Sequence, residues 1–217
     1  DASCAEAEYF TFTHHPDEYV CWFGYRSLPK FDHRNEGLRR ALYEGADSTV
    51  ARWLGPRGLD GWRIDVANMT GRLGTTALNH AVATTLRSTM AQAHPESLLL
   101  AEHSHDASHD LAGDGWHGVM NYAGFARPVW QWLKRPGPVK LDPGPFTPLP
   151  RFPATSMVAT MRAFAAAQPW RATAHGLNLV GSHDVPRIAT FLEDDALVTV
   201  AFGLLATEID RFGARPE

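Results

Sequence analysis

Two cysteines, Cys4 and Cys21, are too few to staple a chain of 217 residues. A lone pair without a secretory leader favours reduced thiols and a cytoplasmic setting over a disulfide scaffold. No apolar run reaches 18 residues, which excludes a membrane-spanning helix. Charge of either sign is nearly balanced, at a net −4, so neither a nucleic acid nor a membrane surface is an expected partner. No internal repeat is visible. The chain opens on Asp1 with no targeting segment, so we expect a piece of a longer protein.

Apolar residues are not scarce. At 44% they suffice for a real core. Aromatics are plentiful, and Trp116, Trp130 and Trp132 fit either core packing or stacking on sugar rings. Residues 1–34 read as irregular. From Asn35, the apolar positions Leu38, Leu42, Ala46, Val50 and Trp53 recur at helical spacing, and Gly55-Pro56 ends the run. Gly71 to Gly74 reads as a turn, with Thr75 as cap of a helix striped by Leu78, Val82, Leu86 and Met90 up to His94-Pro95. Ser97 to Glu102 reads as a buried parallel strand and Gly118 to Tyr122 as another short one. Val129 to Leu133 is predicted helical, and the proline-dense stretch 136–153 forbids any regular element. Met157, Met161, Phe164 and Ala165 predict a helix. Leu177 to Gly181 predicts a strand. Leu197, Ala201, Leu204 and Leu205 predict a last helix, with Asp194 and Asp195 at its N-terminus. Strands alternating with helices imply a parallel α/β sheet. Four strands fit either an open sheet or half of an eight-stranded barrel.

The chemistry concentrates at strand ends. Gly58 to Asn68 reads as a strand in which Arg63 and Asp65 share one face, and Trp62, Ile64 and Val66 share the other. A guanidinium beside a carboxylate favours its anion, which a carboxylate nucleophile requires. Glu102 follows four apolar residues, and desolvation there favours a protonated acid able to donate. Asp184 ends the strand from Leu177. Acids whose protonation is split in this way suit glycoside cleavage, in which a retaining pair stands about 5–5.5 Å apart. His103, His105, Asp106, His109 and Asp110 crowd one loop, but an ordinary polar loop is the better reading than a zinc site, so no metal and no cofactor are expected.

Four motifs resemble, in order, those of the α-amylase superfamily (glycoside hydrolase family 13), most closely its neopullulanase/cyclomaltodextrinase branch. They are Leu28-Pro29-Lys30-Phe31-Asp32, Gly61-Trp62-Arg63-Ile64-Asp65, Ala101-Glu102 with His105-Asp106, and Leu179-Val180-Gly181-Ser182-His183-Asp184. Ser182 stands where the wider family commonly has asparagine. The resemblance implies Asp65 as nucleophile, Glu102 as acid/base and Asp184 as transition-state stabiliser. It implies Arg63 and His183 as substrate-binding residues. It also implies a partial TIM (β/α)8 barrel made of strands four to seven with their helices. Residues 1–34 would be the remnant of the loop domain inserted after strand three. Residues 35–217 would be the C-terminal half of the barrel, lacking its last strand, with the first motif upstream.

The implied activity is retaining hydrolysis of α-glucosidic bonds in maltooligosaccharides, cyclodextrins or pullulan. The alternatives are a transglycosylase or glucosyl isomerase of the same superfamily, and a non-catalytic interaction protein on the same scaffold. An α-glucan or maltooligosaccharide is the expected partner. The sequence fixes no oligomeric state, linkage preference or independent activity of the piece.

Overall fold

The computed structural model describes residues 4–55, 58–135 and 149–213. The chain divides into two compact units. The first holds residues 1–99 and 114–116, and the second holds residues 100–113 and 117–217.

The first unit begins with a short hairpin, β1 (Phe12–His14) and β2 (Glu18–Tyr19), paired antiparallel. Isolated bridges Phe10 to Phe31 and Cys21 to Pro29 fold the following segment back along it. The helix expected from Asn35 to Trp53 is instead two helices, α1 (Glu36–Leu42) and α2 (Thr49–Trp53). Tyr43 ends the first, and Gly45, at φ +88°, takes a left-handed conformation in the turn between them. Ser48 then starts the second, its hydroxyl accepting from the Ala51 amide.

Strand β3 (Gly61–Ile64) follows, and it is shorter than expected. Val66 lies beyond its end at φ +43° and does not continue the apolar face. Trp62 does lie on that face, and its indole N–H donates to the Val50 carbonyl of α2 at 3.2 Å. The predicted turn at Gly71 to Gly74 is a small hairpin, β4 (Arg72–Leu73) with β5 (Thr76–Ala77). Thr75 sits in that hairpin and caps nothing. Helix α3 (Asn79–Ala93) instead begins after Leu78, with no side-chain cap. Its stripe of Val82, Leu86 and Met90 is buried as the spacing predicts, and His94 ends it.

The division between the units falls within β6 (Leu98–Ala101). In the first unit, the Leu98 amide donates to the Asp60 carbonyl at 2.8 Å. In the second, Leu100 and Ala101 pair in parallel with β7 (Gly118–Val119). Parallel pairing is what the strand–helix alternation predicts. The strand expected over Leu177 to Gly181 reduces to a single parallel bridge between Met120 and Leu177. Past Leu177 the ladder gives way to side-chain contacts: Asn121 donates to the Asn178 side chain at 2.8 Å, and Trp130 donates to the Val180 carbonyl at 2.9 Å.

The second unit's core is mostly helical. A π-helical turn, Tyr122–Ala126, runs into α4 (Arg127–Leu133). Then come α5 (Ala154–Ala166), α6 (Trp170–Ala174), α7 (Ile188–Leu192) and α8 (Asp195–Gly213). Trp130 is 1% exposed and stacks on Phe191 with ring centroids 5.1 Å apart, amid Phe125, Val129, Leu179 and Leu192. Trp116, in the first unit, is buried too, so each of these two tryptophans serves packing in its own unit. Asp194 caps α8 by accepting from the Ala196 and Leu197 amides. Of the proline-dense stretch, residues 136–148 lie outside the described residues, as does Pro56. Among the described residues no helix is long and apolar enough to cross a membrane.

Candidate active site

In the first unit, Asp65 is the first residue after β3. Arg63 and Asp65 form an ion pair, as their shared strand face predicts. Asp65 is exposed and Arg63 is largely covered. The chain turns sharply behind the acid. Val66 takes its left-handed conformation, the Met69 and Thr70 amides return to its carbonyl, and Ala67 is fully buried beneath. The exposed carboxylate therefore sits on a turn held at both ends.

The Leu28 to Asp32 segment is anchored rather than loose. Lys30 donates to the Arg72 carbonyl of β4 at 2.5 Å. The Arg34 side chain binds Asp32 at 2.6 Å, with Thr11 adding a bond at 3.2 Å. These bonds, Arg34's first, hold the Asp32 carboxyl down at about 2.

In the second unit, Glu102 is half-buried and follows β6 directly. The Ala101 carbonyl before it accepts from the Met120 amide at 2.9 Å. His103 after it is buried, with Nε2 3.1 Å from the Asp110 carboxylate. The His103 and His105 rings lie 4.4 Å apart. Burial, then His103 and Arg127, push His105 below the ordinary imidazole range. Asp106 caps the turn that follows, accepting from the Ser108 amide at 2.9 Å. Among the described residues no group of three or more His, Cys, Asp or Glu side chains is placed to hold a metal ion.

Asp184 lies on an irregular segment, not at a strand end, because the strand before it does not form. Its position is set by Ser182, whose Oγ accepts from the Asp184 amide at 3.1 Å and from the Tyr122 hydroxyl at 2.7 Å. His183 and Asp184 are neighbours in space as well as in sequence, with Nε2 3.3 Å from the carboxylate, and both are exposed. The first unit thus brings together Arg63 and Asp65. The second holds Glu102, His183 and Asp184. The sequence reading missed the supports, namely Tyr122 behind Ser182 and the His103–Asp110 pair. Tyr122 carried a weak signal, since it ends the segment read as a strand. The His103–Asp110 pair carried none.

Residues 3–209 match the family described as "Alpha amylase, catalytic domain". An amylopullulanase of Thermoanaerobacterium saccharolyticum is 29% identical over 195 residues, covering 79% of this chain and 13% of that protein. A maltogenic alpha-amylase of Bacillus acidopullulyticus is 31% identical over 190 residues, covering 86% of this chain and 28% of that protein. The chain therefore spans less than a third of either relative. Among solved structures, a cyclic alpha-maltosyl-(1→6)-maltose hydrolase from Arthrobacter globiformis, in complex with maltose, superposes with a TM-score of 0.73 at 25% identity. It covers 94% of this chain and 42% of that one. With parallel pairing of β6 and β7 and helices following the strands, this likeness makes the fold part of a TIM barrel. A match across nearly the whole sequence leaves one assignment: the chain belongs to the α-amylase catalytic-domain family.

Proposed function

We propose that the protein is a retaining glycoside hydrolase acting on α-glucosidic bonds of maltooligosaccharides, cyclodextrins or pullulan. The observation that carries this reading is the Arg63–Asp65 ion pair at the end of β3, in a chain of the α-amylase family. Asp65 is the nucleophile. Its carboxylate oxygen bonds to the anomeric carbon while the bond from that carbon to the glycosidic oxygen breaks. Glu102 is the acid/base, and it gives its proton to the departing oxygen. Water then attacks the glycosyl-enzyme, Glu102 takes the water's proton, and Asp65 leaves as the free carboxylate. The product keeps the α configuration after two displacements. Asp184 stabilises the positive charge that develops on the ring, Arg63 aims Asp65 through their ion pair, and His183 donates to sugar hydroxyls.

Residues 1–34 are the remnant of the loop domain that follows barrel strand three. Residues 35–217 carry strands four to seven with their helices. The substrate class is supported by the relatives' names and by the maltose held by the Arthrobacter hydrolase. Both thiols are free, Cys4 Sγ lying 2.6 Å from Glu6 and Cys21 Sγ 3.1 Å from the Tyr19 carbonyl, which fits a cytoplasmic setting.

The decisive experiment compares wild-type intact protein with Asp65→Asn on maltotriose and pullulan. The variant is expected to lose on the order of 10⁴-fold in kcat. Turnover at the wild-type rate would end the nucleophile assignment. Chromatography of the products from the same reactions separates hydrolysis from transfer or isomerisation, because only hydrolysis raises the reducing ends.

A further inference from the structure

We propose that His103 is a positioning residue that fixes the direction of Glu102. The proposal rests on the acid/base reading of Glu102. The backbone around Glu102 is held on both sides. Before it, the Ala101 carbonyl accepts from the Met120 amide. After it, His103 is 3% exposed and its Nε2 reaches Asp110. Peptide planarity links the two fixed points, so little freedom remains at the Glu102 Cα. Consecutive extended residues point to opposite sides, which lets His103 turn inward while Glu102 keeps the other face.

The pairing also sets the ring's chemistry. A carboxylate only accepts, so Nε2 carries the proton toward Asp110. Nδ1 is buried and has no hydrogen-bond partner. An orphaned buried nitrogen is costly, and natural chains retain such groups where a role demands them. The ring borders a narrow cleft, with room for about one water, lined also by His105, Asp106, Asn121, Phe164 and Gln168. A simple packing role would be met more cheaply by leucine. The histidine is kept because its bond to Asp110 fixes the loop leaving β6 in one geometry.

The test separates positioning from mere folding by varying the leaving group. Maltotriose needs its departing oxygen protonated. 2,4-Dinitrophenyl α-maltoside does not, because its phenolate leaves unaided. In the intact protein, His103→Leu is expected to lose on the order of 100-fold in kcat/KM on maltotriose. It should stay within about threefold of wild type on the aryl maltoside. Asp110→Ala, at a partly exposed position, should give the same split and serves if His103→Leu fails to fold. Equal losses on both substrates in the folded variants, or no loss on either, would overturn the proposal. Wild-type protein inactive on both substrates would overturn the hydrolase reading, and this one with it.

Discussion

His33 lies 3.0 Å through Nδ1 from the Tyr43 hydroxyl, and both residues are buried. Burial lowers its pKa from 6.5 to about 4, opposed by Asp32 and reinforced by Lys30 and Arg39. The same burial raises Tyr43 to about 12. Between pH 6.5 and about 4 the unfolded chain binds the proton that folded His33 refuses. The stability is therefore full above pH 6.5 and is lost as the pH falls toward about 4, by up to about 3 kcal/mol. Urea midpoints measured at pH 7 and pH 4.5 should show this loss in wild type and much less of it in His33→Gln, which bonds but does not titrate. Equal losses in both would refute it. Asp32 titrates lower, toward about 2, and stays outside this window. The Arg63–Asp65 pair was legible in the sequence because strand alternation alone puts both side chains on one face. The buried bond from His33 to Tyr43, ten residues on, was not, since no local pattern announces it.

Elements with several turns were readable, and short ones were not. Helix α3 shows its stripe over four turns, and α5 and α8 likewise repeat often enough to be seen. Helices α6 and α7, with five residues each, complete too few turns for a period to appear. The break between α1 and α2 is a cap effect that the apolar spacing runs straight through. Ser48 is fully buried and its hydroxyl holds the Ala51 amide, so Ser48→Ala should cost about 1–2 kcal/mol in denaturant unfolding. An unchanged midpoint would show that α2 needs no cap. Gly61 imposes a stricter limit. A Cβ there would stand 2.1 Å from the Leu98 carbonyl oxygen, a backbone atom that cannot move aside cheaply. Gly61→Ala should destabilise by about 3 kcal/mol and, by shifting β3, lower activity as well. Wild-type stability and rate in that variant would mean that β3 and Leu98 do not approach so closely.

For the whole molecule, the α-glucan of the proposed function is uncharged, so under that proposal the net charge of −4 does not drive binding, and hydrogen bonds and ring contacts do. Raising the salt from about 50 to 500 mM shortens the screening length several-fold, yet KM for maltotriose should change less than about twofold. A steep salt dependence would point to a charged ligand instead. Local spacing by itself determined the α/β class, the buried stripe of α3 and the absence of any apolar run long enough to span a membrane, and it nominated Asp65, Glu102 and Asp184 as candidates, because alternation, helical period and transfer cost act along the local chain. Only the tertiary structure decided that the Leu177 segment makes one bridge rather than a strand, and that Tyr122 steadies Ser182 beside Asp184. It alone also paired His103 with Asp110 behind Glu102. Those outcomes depend on which distant donors and acceptors meet once the backbone is buried, and a buried polar group takes whatever partner packing brings within reach.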